Sequence, residues 1–98
     1  MNVGKAIKMC RNQRGMSLDQ LSEKAGCSAS YLSMLENNKR DPALSTIKNI
    51  ANALQVPIGI IFFLASEGNE LTGIDRTLSG ELARTTLELL NAPLQPEV

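Results

Sequence analysis

Residues 17–37 read SLDQLSEKAGCSASYLSMLEN, and this stretch decides the fold. Ser17 and Gln20 stand in the S-x-x-Q spacing of a capping box, in which each side chain bonds the other residue's backbone N–H. Leu18, Leu21 and Ala25 then recur at helical spacing until Gly26 ends the pattern, which predicts a helix of about nine residues. After Cys27, Ser28 can cap a second helix with Leu32 and Leu35 facing inward. The polar, breaker-rich run Asn37, Asn38, Lys39, Arg40, Asp41, Pro42 closes it. Two short helices joined by a tight glycine turn result. On a helical wheel Leu32, Leu35 and Glu36 cluster on one side; Ser30, Ser33, Met34 and Asn37 share the other, flanked by Ala29 and Tyr31.

Outward from this unit the pattern stays helical. Val3, Ile7 and Cys10 recur with Lys5, Lys8 and Arg11 between them, which predicts an amphipathic helix over 3–14 closed by Gly15 at the C′ position. Ile47, Ile50, Ala51 and Leu54 mark a fourth helix from about residue 44, and Pro57 suits the first turn of a fifth over 57–65. No segment alternates like a strand. The polar stretch 66–73 reads as a linker; Leu78, Leu82, Leu87, Leu89 and Leu90 suggest a sixth helix near 79–91, and Pro93 and Pro96 predict a frayed end.

The 98 residues allow one small domain plus an appended element, and 43% hydrophobic with 20% charged residues is an ordinary globular balance. The absence of histidine removes triads, Cys/His dyads and histidine-bearing zinc sites. Three aromatic residues, Tyr31, Phe62 and Phe63, are too few for base-stacking platforms. Net charge is zero but uneven: residues 1–42 hold seven Lys/Arg against four Asp/Glu, residues 43–98 three against six. A basic front suits a phosphate-facing module, although neutral proteins also split this way by chance. Cys10 and Cys27 lack C-x-x-C spacing and sit in apolar patterns, so buried thiols in a reducing cytoplasm are expected. Lys5, Lys8 and Arg11 interrupt any signal peptide, and the run 56–65 is about half a bilayer crossing.

A short helix, a glycine turn and a second helix with a small polar outer face make a helix-turn-helix unit, which lays its second helix in the DNA major groove. Serines bond any base, Asn37 suits adenine, and Met34 or Ala29 can touch a thymine methyl. The run GMSLDQLSEKAGCSASYLSMLENNKRDPALSTIKNIANAL, residues 15–54, with the following QVP, resembles the Xre/Cro-type helix-turn-helix repressors over about residues 5–64. The resemblance implies an all-α, five-helix lambda-repressor-like domain over 1–65, with an added C-terminal helix in a tail spanning 66–98. It further implies base contacts from Ser28, Ala29, Ser30, Ser33 and Met34, phosphate contacts from Tyr31, Asn37 and Lys39, and an ion pair between Arg11 and Glu36. The chain departs from the family at three places: Leu18 replaces a phosphate-touching Gln, Ser22 an Ala at the helix crossing, and Ala43 a Ser cap.

Lys39 and Arg40 follow the reading helix, where the chain passes the sugar-phosphate wall, so phosphate contact is expected there. Arg14 is a further phosphate candidate, and Tyr31 suits either a phosphate or the core edge. Lys5 and Lys8 read as solvated charges. Helix five, PIGIIFFLA, is apolar nearly all round, so Ile60, Ile61, Phe62, Phe63 and Leu64, with Leu82 of the tail, are expected to form a dimer surface. The expected function is sequence-specific binding of double-stranded DNA by a cytoplasmic homodimeric regulator, most simply a repressor, without cofactor, metal, membrane or catalysis. The alternative is an antitoxin or adaptor that binds a partner protein through its tail. Glu67, Glu70 and Asp75 have no cleft to support an enzyme.

Overall fold

The computed structural model describes residues 1–66 and 76–96. Within them the chain forms six helices and no strand: α1 Val3–Gln13, α2 Leu18–Ala25, α3 Ala29–Glu36, α4 Leu44–Leu54, α5 Ile58–Ala65 and α6 Arg76–Asn91. Pro57 is the N-cap of α5 rather than its first residue, and α6 begins three residues earlier than its leucine pattern suggests. Apart from Ser66, the expected linker 66–73 lies outside the described residues, as do Glu67, Glu70, Asp75 and the side chain of Leu78.

Helix starts follow local chemistry. Ser17 Oγ accepts from Gln20 N at 3.1 Å while Gln20 Oε1 accepts from Ser17 N at 2.8 Å, closing the capping box of α2. Asn2 Oδ1 caps α1 and Ser28 Oγ caps α3, each accepting at 3.0 Å from the N–H three residues on. Ala43 gives α4 no side-chain cap.

The first four helices share one way of stopping. Gly15, Gly26, Asn38 and Gln55 all adopt positive φ, between 56° and 76°. After each, paired backbone bonds run back onto the last turn, as in Lys39 N to Met34 O at 2.8 Å and Asn38 N to Leu35 O at 3.1 Å. This is the Schellman arrangement, which satisfies carbonyls the helix leaves orphaned. Glycine marks two of the four sites in the sequence; Asn38 and Gln55 carry a side chain in a conformation that glycine adopts more cheaply.

The core joins Ile7 and Cys10 of α1, Leu21 of α2, Leu32 and Leu35 of α3, Ile50 and Leu54 of α4 and Ile61 of α5, each essentially without exposure. Helix α5 packs chiefly on α1, and α2 on α3 and α4. Residues 93–96 beyond α6 are exposed, as expected of the end at Pro93 and Pro96, while α6 itself is docked. Leu90 and Thr86 of α6 are buried, and Gln55 and Gln95 exchange two bonds, Gln55 Nε2 to Gln95 O at 2.9 Å and Gln95 N to Gln55 Oε1 at 2.6 Å. No single described helix is long and apolar enough to cross a membrane, and the successive helices α4 and α5 meet at a 108° bend.

Candidate nucleic-acid interface

The positioning of α3 starts from its inner side. Leu32 and Leu35 are buried in the common core, and Glu36, 7% exposed, lies beside them. A carboxylate survives there because Arg11 of α1 meets it with both arms of its guanidinium: Nε donates to Oε2 at 2.8 Å and Nη2 to Oε1 at 3.0 Å. The third nitrogen, Nη1, donates to Met16 O at 3.0 Å. The hydrogen bonds to Glu36 raise the guanidinium pKa further above its ordinary value against the opposing effect of burial. The pair ties α3 to α1 and leaves neither charge stranded.

Ser22 of α2 is buried, and its hydroxyl donates to Asp19 O at 3.0 Å, so the buried polar atom is satisfied. Leu18, at the start of α2, is half-buried and packs on the core. An apolar side chain engaged this way has nothing to offer a phosphate.

The opposite side of α3 is the candidate face. Ser28, Ser30 and Asn37 are exposed, and Ala29, Tyr31, Ser33 and Met34 are half-buried. The Ser28 hydroxyl is already engaged as the cap of α3. Tyr31 packs against the core with part of its surface outside. Asn37 folds back on its own helix, its amide donating to Ser33 O at 2.9 Å and lying 3.5 Å from Ser33 Oγ. Lys39 and Arg40 are exposed immediately beyond the positive-φ turn at Asn38. Small side chains in the middle and two cations at the exit give a shallow strip with a basic end.

Arg14 does not join this strip. Its Nε donates to Leu54 O at 2.9 Å and Nη2 to Gln55 O at 2.8 Å, while Nη1 donates to Ala92 O at 2.7 Å and Leu90 O at 3.4 Å. The guanidinium fork fits the open carbonyls at the ends of α4 and α6, so it clamps the tail onto the domain. The expected dimer surface is also divided. Ile61 is fully buried and Ile60 9% exposed, both within this chain's own core, because α5 is covered by α1 and α4. Phe62, Phe63, Leu64 and Leu82 remain half-buried. Phe63 and Leu64 line a groove of about 480 Å³ between α1, α5 and α6, where Met9 and Leu87 are 44% and 57% exposed.

Both cysteines are free thiols, Cys10 buried and Cys27 half-buried. Burial pushes the Cys10 thiol up to about 11, against a smaller downward pull from Arg14, and also raises Cys27.

A capped pair of short helices around a left-handed glycine, with the second helix anchored by its inner side and partly exposed along its outer one, defines a helix-turn-helix module. Comparison with known families agrees: residues 7–61, more than half of the chain, match the Helix-turn-helix family. The chain belongs to the Xre/Cro-type helix-turn-helix family. Among curated relatives it is 41% identical over 61 residues to the immunity repressor protein of Bacillus phage phi105, covering 62% of this chain and 42% of that protein. It is 37% identical over 57 residues to the transcriptional regulator SinR of Bacillus subtilis, covering 57% and 51%. It is 31% identical over 65 residues to the transcriptional regulator ClgR of Mycobacterium tuberculosis, covering 66% and 58%. The matches thus span about half the length of these relatives.

The sequence pattern assigned no role to Asn2 or Gln55, and took Asn38 only as part of the polar run that closes the helix, not as its left-handed residue. The signal for Asn38 was present, since asparagine directly after a helix is the commonest substitute for glycine in the left-handed C′ position.

Proposed function

We propose that the chain is a sequence-specific, double-stranded-DNA-binding transcriptional regulator that acts in the cytoplasm as a homodimeric repressor and reads the major groove with α3. The observation that carries this reading is the outer strip of α3: small hydroxyl and apolar side chains, exposed or half-buried, on a helix whose inner side is fixed by core packing and a bidentate ion pair. Such a strip lets the helix sit deep enough for Ser30, Ser33 and Met34 to reach base edges, with Ser28 and Ala29 at its leading end. Tyr31, Asn37, Lys39 and Arg40 lie where the sugar-phosphate wall would pass. The relatives named as repressors and regulators support the same role. Occupying an operator blocks polymerase by excluded volume and needs neither catalysis nor cofactor. Residues 1–65 serve as the DNA-binding domain and 66–98 as the tail that assembles it.

Two reading helices about 34 Å apart would address successive major grooves. Phe62, Phe63, Leu64 and Leu82 are the side chains of the expected dimer surface that the chain leaves partly uncovered. Selection of bound sequences from a random duplex pool, repeated with Ser30→Ala and Met34→Ala, tests the reading: each variant is expected to relax preference at defined base pairs, and uniform weakening would move those side chains to the phosphates. Sedimentation is expected to give a dimer. The groove beside Met9 and Leu87 favours a second reading, an antitoxin or adaptor holding another protein, and a monomer at binding concentrations together with a copurifying partner would turn the assignment to it.

A further inference from the structure

Asn2 lies far from α3 in sequence and joins three elements in space. Its side-chain oxygen accepts from Lys5 N at 3.0 Å, capping α1, and from Asn38 Nδ2 at 3.0 Å, in the turn that ends α3. Its backbone N–H donates to Ala65 O, the last residue of α5, at 2.7 Å. Beside it, Gly4 packs so closely under the end of α3 that an added Cβ would collide with the Leu35 carbonyl oxygen and come within 2.8 Å of Asn38 Oδ1 and 3.0 Å of Glu36 O. The start of α1 is therefore pressed against the exit of the reading helix, with Asn2 bonded to the one residue there that holds positive φ, Asn38 at 59°.

That turn aims the two cations. Lys39 and Arg40 follow Asn38 directly and are exposed. The two backbone bonds of the turn work against the steric cost of a left-handed asparagine, and without its side-chain bond the residue leaves that region more easily, which would swing the next residues away from the path of a docked backbone. We propose that Asn2 is a positioning residue for DNA binding: its bond to Asn38, across the close approach of Gly4, holds the turn that presents Lys39 and Arg40 to phosphate. The inference rests on the DNA-binding reading above and adds to it a residue outside the helix-turn-helix unit.

Three substitutions separate this role from plain capping. Asn2→Ser keeps a good N-cap for α1 but is one atom too short to hold Asn38 as well. Asn38→Gly keeps positive φ at no steric cost and deletes only the side-chain donor. The double variant combines them. Binding to a selected duplex is measured by fluorescence anisotropy across a salt series, alongside thermal melts. Each single variant is expected to melt like the wild type, to bind several-fold more weakly, and to show a plot of log K against log salt shallower by about one, the signature of one lost phosphate contact. The double variant is expected to lose no more than either single, because both remove the same bond. Singles that keep the wild-type affinity and salt slope overturn the proposal, as does weakening that tracks a lowered melting temperature with an unchanged slope. A wild-type chain that captures no duplex from the pool removes the DNA-binding reading itself, a result distinct from variants that match a binding wild type.

Discussion

Arg11 in the last turn of α1 and Arg14 at its C-cap hold two different regions of the molecule. Arg11 faces α3 and meets a carboxylate 3% exposed at its side chain. Arg14 faces α4 and the tail and meets four carbonyls, from Leu54, Gln55, Leu90 and Ala92. Both are bidentate or better, and both are largely withdrawn from solvent. The difference lies in what each would leave behind. Without Arg11 a full negative charge is stranded in a low-dielectric contact; without Arg14 neutral dipoles at two helix ends are left, with water close enough to replace part of the loss. Helix α3 is thus held by an interaction that is costly to break, and the tail by one that yields locally.

Removing Arg11 gives the largest effect. Arg11→Ala is expected to destabilise the fold by about 3–5 kcal/mol, the usual result of leaving one member of a buried pair alone. Urea unfolding measures it. Arg11→Met with Glu36→Leu should recover most of the loss, because no charge then remains to be solvated. A single-variant loss below about 1 kcal/mol, the level of a surface pair, would erase the contrast with Arg14.

Arg14→Ala is expected to cost less, about 1.5–3 kcal/mol, as for hydrogen bonds to a charged group. Its effect should also be local. Amide exchange in α6 and around Gln95 should quicken while α1 to α3 keep their protection, since only the buried Thr86 and Leu90, the Gln13–Asn91 bond and the Gln55–Gln95 bonds would still hold the tail. Uniformly faster exchange throughout would show instead that the tail and the domain open as one unit.

What the residues themselves revealed is short-range; of the long-range partners only the Arg11–Glu36 pair, 25 positions apart, was expected, and that from the family resemblance. The capping box of Ser17 and Gln20, the cap at Ser28 and the left-handed turns at Gly15 and Gly26 were legible because each is a signal between residues a few positions apart, carried by a distinctive side chain. Arg14 was not legible, because its acceptors are backbone carbonyls 40 to 78 positions away, and a carbonyl has no residue type to read. The same holds for Asn2, whose partner Asn38 is 36 positions distant. The uniform apolarity of α5 could not separate the buried Ile61 from the half-buried Phe63, because periodicity assigns a face only where polar residues interrupt it.

Helix caps give smaller effects and act on both regions alike. Ser17→Ala is expected to lower stability by about 1 kcal/mol by opening the box that starts α2. Ala43→Ser should raise it by a similar or smaller amount, because the backbone at residue 43 is already extended, with φ −69° and ψ 157°, as an N-cap requires, and only the acceptor is missing. Paired melting curves test both, and an unchanged midpoint for Ala43→Ser would mean that the first N–H groups of α4 are as well served by water.

Cys10, also on α1, produces no change near neutral pH and a defined one in alkali. In the folded chain the thiol holds its proton up to about 11 because burial penalises the thiolate; unfolded, it releases it near its ordinary value of 9.0. Below pH 9 both states are protonated and the preference for the neutral form is fully available to the fold. As pH rises from 9 through 11 the unfolded chain gains by ionising where the folded chain cannot, so this contribution is lost. Cys10→Ala removes the group, and the variant's deficit relative to wild type, set at neutral pH by the lost sulfur packing, should therefore shrink across that interval. Denaturant midpoints of both proteins at stepped pH give the difference directly. A deficit that stays constant to pH 11 would mean that the thiol ionises in place, which would require water to reach the buried side of α1.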